Sequence, residues 1–415
     1  MSSALAALIG LILSIVLIIK KVAPVYGLII GATIGGLLAG WGLETTVAEM
    51  ITGVKDITPA IVRIIAAGVL TGMLVKTGAA STIAKSIIKA LGPKYIYLAL
   101  ALSALILTAM GVFVDVAVIT IAPIAIITGA KLRLSKFKLL IAMIGGGKSG
   151  NIISPNPNTI IAAENFDAPL SSVMGAGIIP AIIGLAVTML IIVPMIPKGD
   201  LMEGDGNEVE DENLPSLWRS LAGPIVSIAL LAMRPITGIV VDPMIALPVG
   251  GIVGIIMTRN WKNLETCLAY GVEKMSGIAI LLVGTGTLAG VIKASTIKDV
   301  LVNMLSQWSE GGTFIAPISS ALLSAATGST TAAATIVSAS LGDVILAAGV
   351  SAVWGAAMVN AGGTVIDHLP HGSFFHATGG SMGMGVKERL KLIPYETLVG
   401  FVLSISSVAV YLLLG

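Results

Sequence analysis

Cysteine is almost missing from this sequence: Cys267 is the only one in 415 residues. That excludes a disulfide framework and a cysteine-built metal centre. Histidines number three, too few for a histidine-rich metal site, and no metal is expected. Charge is scarce too. Charged residues make up 11%, against roughly 25% in a soluble domain, and the formal net charge is only +2. Such a chain cannot cover a water-facing globule, and it offers no basic face to a phosphate backbone. Soluble enzymes and most nucleic-acid binders are thereby removed. There is no phosphate loop, no Ser-His-Asp order, and no flavin or nicotinamide fingerprint, so neither catalysis nor a cofactor is expected. Aromatics are 4%. What is abundant is apolar and small: hydrophobic residues are 56%, glycines number 49 and mean hydropathy is +1.00. Small residues let membrane helices approach one another closely.

A spanning helix needs about 20 mainly apolar residues. Ten candidates lie at 4–19, 22–43, 59–75, 95–112, 172–196, 219–233, 240–258, 276–293, 313–326 and 393–414. Four further stretches, 113–130, 139–164, 331–347 and 350–369, are apolar but interrupted by Gly, Pro, Asn, Thr or Asp. They read as broken or re-entrant elements. The fold class expected is an all-α polytopic membrane protein with about 12–14 transmembrane segments. Lys20 and Lys21 follow the first apolar run instead of preceding it, so that run reads as a retained helix and not a cleaved signal. The acidic, hydrophilic stretch 198–216 reads as a solvated linker between 1–197 and 217–415.

These halves resemble each other at a spacing of about 217 residues. Gly53, Gly68 and Gly72 align with Gly271, Gly286 and Gly290; 103–119 aligns with 320–336; Gly145-Gly146 align with Gly362-Gly363. Charge gives the orientation, because cytoplasmic loops collect Lys and Arg. With Lys20-Lys21 inside, 18 of the 24 basic residues fall inside. The repeat partners of the basic loops 76–94 and 131–138 hold one basic residue, Lys298, and none. Partner loops therefore lie on opposite faces. The expectation is two inverted repeats, 1–197 and 217–415, each crossing an odd number of times. Inverted repeats with interrupted helices belong to transporters.

Three polar islands interrupt the apolar pattern. In 145–159, Lys148, Ser149, Asn151, Ser154, Asn156, Asn158 and Thr159 surround prolines that cannot continue a helix. Thr159 or Asn158 is expected to cap a helix starting at Ile160, and a helix N-terminus there would face an anion. Lys148 adds full positive charge. In 326–335, Thr327, Ser329, Thr330 and Thr331 surround Gly328 before an alanine run. An ordinary loop or a small-residue helix contact would also produce these patterns. The third island, 360–380, holds Asp367 and all the histidines, His368, His371 and His376. Intramembrane acids and imidazoles suit proton coupling; a water-facing loop is the plainer reading. Asp115 stands alone in its segment, as an ion-coupling candidate or a water-facing segment end, and aligns with Ala332. Arg63 lies one turn into its segment and reads as a snorkelling structural residue.

At these residues the sequence resembles the gluconate permease (GntP) family. The resemblance is most specific in Ser154–Thr159, in Gly328–Thr331, and in the Gly-Gly…Asp-His stretch with its downstream Val-Lys-Glu-Arg-Leu…Glu-Thr, 386–397. The chain departs from the family pattern at Lys148 with Ser-Pro-Asn-Pro-Asn, and at Asp367-His368, both where substrate is expected. The resemblance implies a proton symporter for gluconate or a related small hydroxy-carboxylate in the cytoplasmic (inner) membrane of a prokaryote. It also implies re-entrant hairpins, a dimerising scaffold giving a homodimer, and an elevator-like moving part. Its partners are then a small organic anion, a proton or possibly sodium, and the bilayer, with no nucleic acid. The substrate residues implied are those of the first two islands; Asp115, Asp367, His368 and His371 are the ion-coupling set. Rival expectations are a sodium-coupled anion carrier, a cation/proton antiporter and a channel.

Overall fold

The computed structural model describes residues 2–197, 202, 214–233, 237, 239–296, 312–370 and 372–415. Most of the acidic linker, and His371, lie outside them. The described residues form helices and connecting loops with no strand. The first half carries α1 Ser3–Ile19, α2 Pro24–Leu38, α3 Gly42–Lys76, α4 Ala79–Leu91, α5 Ile96–Ala109, α6 Val114–Lys131, α7 Lys136–Asn151, α8 Pro157–Asn165 and α9 Leu170–Met195. The second carries α10 Leu217–Leu231, α11 Pro243–Met257, α12 Leu264–Ala294, α13 Gly312–Thr327, α14 Thr330–Ala347, α15 Ala352–Gly363, α16 Ser373–Ser381 and α17 Val386–Leu414.

Among the described residues, six helices are long and apolar enough to cross a membrane: α3, α6, α9, α12, α14 and α17. The pair α4 and α5, bent by 108° at Gly92, makes a seventh if taken as one span. Five shorter apolar helices are α1, α2, α10, α11 and α13. The shortening has a chemical cause: glycine and proline divide the apolar runs into rods shorter than a bilayer. Two of the four interrupted stretches are in fact continuous, since 113–130 and 331–347 form α6 and α14, with Pro123 accommodated inside α6. The other two are broken as the sequence implies. α7 stops at Asn151 before α8 begins at Pro157, and α15 stops at Gly363 before α16 begins at Ser373.

Val114, Pro157 and Leu170 open α6, α8 and α9; Thr330, Ser373 and Val386 open α14, α16 and α17, a constant 216 residues further on. The paired helices α6 and α14 have 18 residues each, and α8 and α16 have 9 each. The register in this part is one residue shorter than the sequence alignment gives, which pairs Asp115 with Thr331 instead of Ala332.

Close glycine contacts follow the same pairing. A Cβ on Gly53 would strike the Gly286 carbonyl, and one on Gly271 would strike the Gly68 carbonyl. Likewise Gly290 abuts the Glu49 carbonyl and Gly72 the Cys267 carbonyl. Each contact maps onto its partner when 53 is exchanged with 271, 68 with 286 and 72 with 290. Contacts of this isologous kind are what a two-fold axis produces. Because Glu49 meets Gly290 while Gly72 meets Cys267, α3 and α12 run antiparallel, and an axis exchanging them lies perpendicular to both.

Most of the packing falls into two groups: α1, α2 and α3 pack with α10, α11 and α12, and α5 to α9 pack with α13 to α17; α12 on α14, α3 on α8, α1 on α13 and, through α4, α10 on α5 join them. The short helices cross over within the second group: α8 packs on α14, and α16 packs on α6.

Candidate functional site

Both chain breaks end at one small cavity of about 150 Å³. Phe113, Val114, Asp115, Asn151 and Asn158 line it from the first half; Gly328, Ser329, Thr330, Thr331, Asp367, Ser373 and Phe374 line it from the second. All five first-half residues have their counterpart, 216 positions later, in the same wall: Ser329, Thr330, Thr331, Asp367 and Phe374. The cavity therefore draws matched positions from both repeats.

Four helices present their first turns to it: α6, α8, α14 and α16. α8 is capped by Asn156, whose Oδ1 accepts the Thr159 amide at 3.1 Å, with Pro157 at the first helical position. The helix thus starts at Pro157, three residues before the expected start at Ile160, because proline tolerates that first position well. α14 is capped by Ser329, whose hydroxyl accepts the Ala332 amide at 3.2 Å; Gly328 makes the preceding turn at φ 64°. α6 and α16 carry no side-chain cap. Helix N-termini hold partial positive charge and unpaired amides. Four of them around a cavity form an anion-favouring surface.

Behind this wall lies a buried charge cluster. Lys148, 1% exposed, donates to the Thr364 carbonyl at 2.6 Å and to Asp367 Oδ1 at 2.6 Å, and lies 3.2 Å from His368 Nδ1. An ammonium has three hydrogens, so all of them are committed. Asp367 Oδ2 accepts from Thr330 at 2.5 Å. His368 Nε2 lies 3.1 Å from the Ile393 carbonyl and 3.0 Å from the Thr397 hydroxyl. A carbonyl only accepts, so Nε2 carries a hydrogen; Nδ1 lies 3.2 Å from the Lys148 ammonium and 3.1 Å from Asp367 Oδ1, able to accept from the first or, when it carries a hydrogen, to donate to the second. Glu396 Oε2 is 4.0 Å from His368 Nδ1 and pairs with buried Arg389, which also donates to Thr378 at 3.0 Å.

The sequence-derived residues thus separate into layers. Asp115, Asn151, Asn158, Gly328, Ser329, Thr330, Thr331 and Asp367 face the cavity. Asn156 and Thr159 support it: Asn156 donates to Asn151 Oδ1 at 2.7 Å, and Thr159 accepts from Asn360 at 3.0 Å. Thr331 donates to Asn158 at 2.6 Å, tying α14 to α8. Lys148 and His368 sit behind. Thr327 bonds back to its own helix at Leu323. Ser149 and Ser154 are buried hydroxyls that do not line the cavity. His376 is exposed and bonds the Pro370 carbonyl at 2.7 Å. Sequence reasoning missed Phe113, Phe374 and Asn360, because an aromatic or amide in an apolar run carries no signal of which way it points. It also missed Arg389 and Glu396 as a buried pair, although both fall in the 386–397 motif.

A second, larger cleft of about 460 Å³ lies beyond the far end of α8. Arg63 lines it, and here the structure departs from the snorkelling expectation. Its guanidinium grips Asp242 through Nε and Nη2, the latter at 2.7 Å, and pairs with Glu164 through Nη1. The Arg63 hydrogen bonds hold the Asp242 carboxyl below the usual carboxylate range.

Apolar helices that span a bilayer, a chain broken at depth in both halves and a cavity between the breaks define a membrane transporter. The family model for the GntP family permease matches residues 3–415. The chain belongs to the GntP permease family. It is 50% identical to an uncharacterized transporter of Haemophilus influenzae, over 99% of this chain and 98% of that one. It is 24% identical to a high-affinity gluconate transporter of Escherichia coli, over 92% of each chain. Its fold is similar to the crystal structure of the Alcanivorax borkumensis YdaH transporter, with TM-score 0.62 and 14% identity over 90% of this chain and 88% of that one.

Proposed function

We propose that this protein is a proton-coupled symporter of a small hydroxy-carboxylate such as gluconate, working by alternating access between two inverted halves. One observation carries the reading: four helix N-termini, matched in pairs between the halves, surround one cavity. The solute's carboxylate rests against the uncapped first turn of α16, away from Asp115 on α6, and its hydroxyls meet Ser329, Thr330, Thr331, Asn151 and Asn158. Gluconate transporters among the relatives support the substrate class.

Proton coupling follows from charge balance. Lys148 and Arg389 face Asp367 and Glu396, two cations against two carboxylates, with His368 between the pairs. A proton on His368 Nδ1 leaves the buried cluster one charge too positive. An arriving anion offsets that charge, so proton and solute each favour the other's binding. Asp367 is already committed to Lys148 and Thr330, so an antiporter reading would rest on Asp115 alone. The two packing groups support an elevator motion, with α3 and α12 in the stationary part and a homodimer formed through it. Bacterial relatives support a prokaryotic inner membrane as its setting.

Proteoliposomes test this. D-gluconate counterflow is expected, with net uptake accelerated by an inward proton gradient. His368→Gln is expected to keep counterflow and lose the gradient response. No uptake of any sugar acid or short carboxylate, with or without a gradient, refutes the proposal. Acid release on sodium addition without organic anion indicates antiport instead.

A further inference from the structure

The four helix starts around the cavity are not equally open to an anion. α8 and α14 are closed by the side chains of Asn156 and Ser329. α6 has no such cap but carries Asp115 in its first turn, a carboxylate where a helix end favours one. α16 has neither a side-chain cap nor an acid in its first turn. One helix start is therefore vacant, and Ser373 and Phe374 bring it to the cavity wall.

Asn151 points to a solute independently. The Thr159 amide can only donate, so Asn156 turns its Oδ1 to that amide and its Nδ2 to Asn151 Oδ1, at 2.7 Å. The Asn151 Nδ2 is thereby left to the cavity, without a hydrogen-bond partner among the described residues, on a residue 4% exposed. The two acids of the wall differ as well. Asp367 is offset by Lys148 at 2.6 Å, whereas Asp115 has no ion pair among the described residues. Lys274 acts on Asp115 only from a distance, its ammonium held over the Tyr270 ring at 5.3 Å.

We propose that Asp115 determines specificity: it fills the start of α6 and so limits the cavity to solutes with a single carboxylate. This rests on the reading of the chain as a hydroxy-carboxylate carrier. The carboxylate takes the vacant start of α16, Asn151 donates to the neighbouring hydroxyl oxygen, and the far end of the solute presents a hydroxyl that donates to Asp115. A proton on His368 offsets one solute charge. A second carboxylate has no cation to answer it and stands against Asp115, and like charges set together exclude a wrong partner.

Titration calorimetry on the full chain in detergent at pH 7 tests this with two pairs of acids. D-gluconate and D-glucarate differ only in the oxidation of the terminal carbon, and so do L-threonate and L-tartrate. Each monoacid is expected to bind about tenfold or more tighter than its diacid. Asp115→Asn is expected to bring that ratio close to unity, and Asp115→Glu, which keeps the charge, to retain it. The ratio is the readout, because losing a charge-assisted hydrogen bond weakens the monoacid too. Asp115→Thr, which copies the matched Thr331, takes the place of Asp115→Asn where the latter lowers the melting temperature. Equal binding of monoacid and diacid by the unaltered chain overturns the assignment, and so does a ratio that the neutral variants leave unchanged. Either result leaves the carrier reading standing. Binding of none of the four acids refutes that reading, and the role of Asp115 with it.

Discussion

Lys148 shows how much a single buried residue decides. Its ammonium is closed off by the Thr364 carbonyl, Asp367 and His368, so its charge is spent on the cluster behind the cavity wall. Removing one partner of a buried pair leaves the other uncompensated and costs about 3–5 kcal/mol. Lys148→Met is expected to lower stability by that order in thermal unfolding, and the added Asp367→Asn to recover much of it. His376→Ala, at an exposed histidine, is expected to leave uptake within about twofold, as surface substitutions usually do. Asp242 gives a pH prediction. Its folded carboxyl is lowered, so its stabilisation is present above the unfolded value and fades only as pH falls through the folded one. The Asp242 contribution to thermal stability, read as the difference between the wild type and Asp242→Asn, is therefore expected to stay flat from about pH 8 to about pH 5, above the carboxylate range. The sequence exposed Lys148, Asp367 and His368 as candidates because charge is conspicuous in an apolar run. It could not reveal their mutual pairing, which joins residues some 216–220 positions apart.

At the scale of the helix, glycine carries the architecture. Gly53 and Gly271 occupy equivalent places in the α3–α12 seam, each against a carbonyl of the other helix. Gly146 and Gly362 repeat the arrangement, against the carbonyls of Ala101 and Pro317. Gly53→Ala and Gly271→Ala are expected to destabilise by a similar amount, about 1–3 kcal/mol each, as overpacked contacts do. Strongly unequal losses in thermal unfolding would argue against an exchanged seam. The Gly53–Gly271 match was legible in the sequence, whereas the alignment set Gly146 against Gly363, one residue off; the breaks at 152–156 and 364–372 were legible from proline, asparagine and glycine. The continuity of α6 was not. Pro123 signals a break, but neighbouring helices can satisfy the backbone group it frees.

For the molecule as a whole, the matched register yields a topology prediction. Lys94→Cys, exposed at the bend after α4 within the basic stretch 76–94, is expected to react with impermeant reagent only from the cytoplasmic side. Gly349→Cys, in the counterpart of loop 131–138, is expected to react only from the other side. Labelling of both from one face would remove the inverted arrangement. The cavity wall also records where the copies have parted. Asn151 and Asp367 occupy equivalent positions, yet one is an amide and the other an acid of the same shape; Asp115 faces Thr331 in the same relation. An ancestor with identical copies would grip its cargo alike whichever way it opened. Here the isosteric exchange has removed that parity. The carrier is expected to rectify, showing different half-saturation concentrations for inward and outward flux.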